Sequence, residues 1–150
     1  MTLDHTCAMP GLSLQALGPA LGYNFLWINA SEVFRYFAFV MPMMREALPT
    51  LPDVAPMTLP VFLIWGLWDT VLILAATFLS WLMLERFGNT IGVAIAAGTL
   101  IWATVFVILW LGLYNMNLAT VPVVLTALPL AWIEMVIAAL IVRWTHLRTS

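Results

Sequence analysis

Residues 90–115 read TIGVAIAAGTLIWATVFVILWLGLYN, without one Asp, Glu, Lys, Arg, His or Pro. A helix rises about 1.5 Å per residue, so about 20 apolar residues cross a hydrocarbon core of about 30 Å. This run is long enough to do so, and its apolar residues show no strand-like alternation. In lipid every backbone N–H and C=O must be satisfied internally, which favours a helix. The stretch therefore predicts a transmembrane helix, and the rest of the chain can be sorted around it.

Three other segments have the same character: about 23–47, 58–85 and 119–144. Together they predict an all-α, polytopic integral membrane protein. The expected architecture is a four-transmembrane-helix bundle forming a single domain over residues 1–150. Composition agrees. Hydrophobic residues make up 64% of the 150-residue chain and charged residues 8%, against about 25% charged in a soluble domain. The formal net charge is −2 with no basic cluster, which speaks against nucleic acid as a partner. A single cysteine, Cys7, excludes an internal disulfide and a Cys-x-x-Cys motif.

The connections follow the same division. Pro49, Pro52, Pro56 and Pro60 break the helix between the first two spans. Gly88 or Asn89 ends the second helix, and Thr90 begins the third. Pro122 falls near a helix start. Pro129 lies inside the fourth span and is expected to kink it or free a carbonyl. The first 22 residues lack Arg and Lys and contain Pro10, Gly11, Gly18, Pro19 and Gly22. They read as an N-terminal arm along the interface rather than a signal peptide or a full span.

All five fixed cations are arginine. That usage goes with a GC-rich genome and suggests a bacterial inner membrane. Arg86, Arg143 and Arg148 would share one side of the bilayer with both termini, and Arg45 would lie on the other. The positive-inside rule then puts the N- and C-termini in the cytoplasm. Trp27, Trp65, Trp68, Trp81, Trp110 and Trp144 lie towards span ends and read as interfacial anchors. Gly92/Ala96 and Ala94/Gly98 are small-xxx-small pairs. They would allow close packing within the bundle, or a homo-oligomer through Gly92, Ala96 and Gly98.

Four charged residues fall at depth. Glu32 and Arg35 lie roughly 12 to 17 Å into the first span, Asp69 roughly 15 Å into the second and Glu134 roughly 14 Å from the cytoplasmic end of the fourth. A charge at the bilayer centre costs about 2.5 to 3.5 kcal/mol on insertion scales, so these residues should face inward and gather. Asn29, Glu32 and Tyr36 share one face of the first helix. The expected interior site is Glu32, Arg35, Asp69 and Glu134, joined by Asn29 and Tyr36, with hydroxyls from Thr99 and Thr104. Three carboxyls and one guanidinium would leave −2 if all were ionised. At least one carboxyl should then carry a proton, or a cation should share the site. Glu134, with no basic neighbour on its own helix, is the first candidate. Tyr114, Asn115 and Asn117 should cap the third helix, with a polar vestibule above Asp69 as the sharper reading.

These features suggest a proton- or cation-linked transporter or a ligand-binding membrane protein, working in a lipid bilayer. One alternative is an accessory or assembly subunit that uses the same charges to pair with a larger membrane complex. Another is a membrane enzyme acting on a lipid-like substrate. There Glu134 or Asp69 would be the general acid or base, and Arg35 would stabilise negative charge. The sequence points to no cofactor, and without lysine no Schiff base can form. No metal site is expected. His5, Cys7 and His146 lack ligand spacing, and Met41, Met43 and Met44 around Pro42 read as packing rather than a copper site. The Asn29-Ala30-Ser31 acceptor motif lies within a span and is set aside.

Overall fold

The computed structural model describes residues 14–50 and 56–149. Among these residues there are four long helices and no strand. Helix α1 covers 14–47. It is α-helical over Leu14–Arg35 and Met41–Ala47, with one wide π-helical turn, Tyr36–Val40, between them. Helix α2 is Leu59–Phe87. Helix α3 is Ile91–Asn115 and has its own π-helical turn, Ala103–Val107. Helix α4 is Val121–Thr149.

Local chemistry sets the ends. Thr58 is extended and Pro60 occupies the first turn of α2, where its missing N–H removes no helical bond. Gly88 ends α2 at φ +98°, donating its N–H to Leu84 O at 3.0 Å. Thr90 Oγ1 caps α3 by accepting from Val93 N at 3.2 Å. Asn117 holds the left-handed conformation, φ 56°. Its N–H bonds Tyr114 O, and the Leu118 N–H bonds Leu113 O. This is a Schellman stop built from backbone donors, with an asparagine in the place glycine usually takes. Pro129 sits inside α4, which continues past it.

Helices α2, α3 and α4 are each long and apolar enough to cross a membrane. Helix α1 is not one of these. Asn24, Asn29, Glu32, Arg35 and the Gly18-Pro19 step dilute its apolar character. The expected interfacial arm is also corrected in part. Residues 14–22 continue α1 as helix, with Ala16 and Ala20 buried. Ala20 packs with Trp81 and Leu84 of α2 and with Ala139 and Val142 of α4. Pro19 lies inside the helix and lacks the N–H that would bond Gln15 O. Residues 1–13, with His5 and Cys7, and residues 51–55 lie outside the described residues.

The tightest helix contact joins α3 to α4. A Cβ placed on Gly98 would lie 2.6 Å from both Met135 O and Val136 Cα. Ala94, Ala97, Ala131, Ala138 and Ala139 are buried along the same seam. Gly98 therefore serves the bundle itself, while Gly92 and Ala96 face outward. Two indoles clasp the pair: Trp102 Nε1 donates to Leu128 O at 2.8 Å, and Trp132 Nε1 to Thr99 Oγ1 at 3.0 Å. A buried bond from Asn24 Nδ2 to Thr77 Oγ1, 2.9 Å, links α1 to α2. At the far end His146 Nε2 pairs with Glu85 Oε1 at 3.0 Å.

Candidate functional site

Glu134 on α4 is fully buried, and one face of α1 is built around it. Trp27 Nε1 donates to the Glu134 backbone carbonyl at 3.0 Å. Ser31 donates its hydroxyl to Glu134 Oε2 at 2.8 Å. Arg35 Nη1 lies 3.4 Å from the same Oε2. Residues 27, 31 and 35 are spaced i, i+4, i+8, one stripe along the helix. The order has a geometric cause. In α4 the carbonyls point towards the C-terminus and side chains lean towards the N-terminus. Helix α1 can thus hold the backbone oxygen of Glu134 from one turn and its carboxylate from the next two.

Arg35 is held from three sides. Its Nη2 binds Glu32 Oε1, one turn back on α1. Its Nη1 faces Glu134, and its guanidinium lies 4.9 Å from the ring centre of Phe106 on α3. Two carboxylates on neighbouring nitrogens of one guanidinium bring Glu32 and Glu134 together across the α1–α4 contact. All three charged groups are buried, as is Asp69 of α2. Asp69 stands apart from the group, making no ion pair within 4 Å of Arg35. Its Oδ1 has no hydrogen-bond partner, and neither do Glu134 Oε1 and Arg35 Nη1.

Beside Glu32 and Arg35 opens a cavity of about 390 Å³ between α1, α2 and α3. Its walls are aromatic: Tyr36, Trp65, Trp68, Phe106 and Trp110. Tyr36 and Trp65 meet at a tilt of 59° with ring centres 4.6 Å apart, and Trp68 meets Phe106 edge-on at 6.2 Å. Both π-helical turns border this space. Tyr36 and Val40 belong to the first and Phe106 to the second, and all three line the cavity. A π turn interrupts the regular i→i−4 ladder and is enriched at functional sites.

The predicted residues divide clearly. Glu32, Arg35 and Glu134 meet, and Tyr36 lines the adjoining cavity. Asn29 does not join them: it turns back to donate to Phe25 O at 2.7 Å. Thr99 is engaged by Trp132, and Thr104 by the carbonyls of Leu100 and Ile101. Tyr114, Asn115 and Asn117 are exposed and do not line the cavity, so it has no polar vestibule of those residues. The anchor reading of tryptophan also needs correction. Trp81 and Trp110 are buried, Trp65 and Trp68 wall the cavity, and Trp27 holds Glu134. Trp144 remains exposed, with Arg148 3.9 Å from its ring centre. Among the described residues, no group of three or more His, Cys, Asp or Glu could hold a metal ion.

No protein-family model matches the chain, and neither a curated protein nor a solved structure matches it.

Proposed function

We propose that the chain is a four-span membrane bundle whose Glu32–Arg35–Glu134 cluster, with Asp69, is the exchangeable site of a proton- or cation-linked transporter or ligand-binding protein. Exposed apolar side chains on every helix support the membrane setting: Leu26 and Phe34 on α1, Ile64 and Leu67 on α2, Ile108 on α3, Leu125 on α4. In water such a surface would drive association; in lipid it is the expected exterior. Helix α1 completes the bundle as its least apolar span, because its polar residues turn inward onto α2 and α4. The arginine distribution favours termini on the cytoplasmic side of a bacterial inner membrane.

One observation carries the functional reading. Two buried carboxyls, Glu32 and Glu134, share a single guanidinium beside an open cavity, and a third, Asp69, is buried without an ion pair. A purely structural pair would be neutral and enclosed. Here the formal charge is −2, and removing charge from water without a partner is costly enough that a proton or another cation should complete the site. Ionisable residues at this depth mark ion, proton or substrate pathways by default.

The test is infrared spectroscopy of the purified protein from about pH 5 to 9, the range in which a buried carboxyl can titrate. A carboxyl band should change with pH or on adding a cation, and Glu134→Gln should remove that change while the helical spectrum stays. If neither pH nor any added cation alters carboxyl bands or thermal stability, the exchangeable site does not exist.

A further inference from the structure

We propose that the aromatic cavity binds an organic monocation with an apolar body, taken up against a proton released from the carboxyl cluster. The inference deepens the reading of that cluster as an exchangeable site and rests on it.

Charge decides the sign of the ligand. Arg35 is already engaged by Glu32 and by the face of Phe106, and its Nη1, though without a hydrogen-bond partner, is ion-paired at 3.4 Å with Glu134 Oε2. An anion would have to compete with two carboxylates for it, in a region of formal charge −2. A cation meets the opposite situation. Glu32 and Arg35 are the charged residues that line the cavity; Asp69 does not line it but lies one helical turn from Trp65, which does, and its buried Oδ1 has no partner. Glu134 Oε1 is likewise unspent. The charged and titratable groups here are Glu32, Arg35 and Tyr36 from α1, Asp69 from α2 and Glu134 from α4, with Arg45 of α1 within electrostatic reach of Tyr36. Helix α3 brings none to this level, since its sequence has no ionisable side chain before Tyr114.

The walls decide the kind of cation. A small, strongly hydrated ion needs several oxygen ligands to replace its water. This cavity offers indole, phenol and phenyl faces instead. Those faces attract a cation whose charge is spread or shielded by carbon, because the ring quadrupole acts without demanding full coordination. The volume, about 390 Å³, is that of a small-molecule site. Met57, Val61, Ile64 and Leu109 line it too and are exposed, so an apolar body reaches it past apolar side chains. The balance is simple: a protonated carboxyl releases H⁺ as the cation arrives, and the resulting carboxylate neutralises the bound charge. No covalent bond to the ligand forms or breaks.

Tetraphenylphosphonium and tetraphenylborate share a shape and carry opposite charge. Radiolabelled phosphonium should bind the full-length protein saturably in neutral detergent, at least tenfold tighter than the borate. Binding in weakly buffered solution should release protons. Asp69→Asn and Trp65→Ala should each weaken phosphonium binding about tenfold, and a thermal melt confirms that each variant is folded. Equal or tighter borate binding overturns the proposal. So does the absence of saturable phosphonium binding to folded protein, or unchanged binding in both variants. Carboxyl bands that titrate in protein unable to bind phosphonium sink the ligand assignment and leave the exchangeable cluster standing. Saturable, phosphonium-selective binding without proton release or any change in carboxyl bands sinks proton exchange.

Discussion

Replacing Gly98 with alanine tests the geometry on which the site depends. The new Cβ would fall 2.6 Å from Met135 O and Val136 Cα, both backbone atoms of α4. Ordinary contact begins near 3.4 Å, so the helices must separate locally by about 0.8 Å or the backbone must bend. No flexible side chain is in the way to yield. Overpacking of this kind costs about 1 to 3 kcal/mol. Alanine is also the better helix former, by about 1 kcal/mol in an exposed interior position, which masks part of the loss. Gly66→Ala corrects for that gain, because Gly66 is also inside a helix and a Cβ there meets nothing within 4 Å. The difference between the two variants isolates the clash. Met135 adjoins Glu134, so the same displacement loosens the 3.4 Å approach of Arg35 to Glu134. Gly98→Ala should unfold earlier than Gly66→Ala by the equivalent of about 1 to 3 kcal/mol in a detergent melt, and should weaken phosphonium binding. Equal melts for the two variants would refute the close approach of α3 and α4.

Three further outcomes follow from single contacts. Thr77→Val leaves Asn24 Nδ2 buried without its acceptor and should cost about 1 to 3 kcal/mol; adding Asn24→Leu should recover part of it, as read in the same melt. Phe106→Leu removes the ring against Arg35 and should cost about 0.5 to 2 kcal/mol in addition to lost packing; a double-mutant cycle with Arg35→Met separates the two, and zero coupling would show that the ring does not act on the guanidinium. Asn117→Gly should be neutral or stabilising and Asn117→Val destabilising by about 1 to 2 kcal/mol, because only the left-handed backbone at φ 56° is at issue. Loss of stability with glycine would mean that the side chain, not the backbone, sets the turn.

Much of the helical layout could be read directly. The uncharged run at 90–115 becomes Ile91–Asn115, and the segments about 58–85 and 119–144 become Leu59–Phe87 and Val121–Thr149. Hydropathy and end signals are local, so they survive folding. The first helix was harder. Gly18, Pro19 and Gly22 argued locally for an arm, but burial of Ala16 and Ala20 outweighs their poor propensity. The meeting of Glu32, Arg35 and Glu134 is legible because a charge removed from water needs a partner, whereas Asp69, expected with them, stands apart from Arg35. The wider face differs from the expected one. Asn29, Glu32 and Tyr36 follow helical spacing, yet the stripe that grips Glu134 is Trp27, Ser31 and Arg35.

That stripe was hidden by a property of its residues rather than by its spacing. Tryptophan is read by default as an interfacial anchor, because the indole suits the lipid headgroup region. The same N–H is also a strong buried donor that needs an acceptor when removed from water. Here Trp27 and Trp102 both find helix carbonyls, Glu134 O and Leu128 O. A backbone carbonyl leaves no mark in a sequence, so this pairing cannot be foreseen from residue types. The cavity was concealed for a related reason. Its walls come from three helices and are placed partly by the two π turns, each of which shifts the residues after it around the helix axis. A fixed 3.6-residue projection carried through Tyr36–Val40 or Ala103–Val107 would assign later side chains to the wrong face. Three of the tryptophans expected at the membrane edge, Trp65, Trp68 and Trp110, are in the folded chain the walls beside its only buried arginine among the described residues.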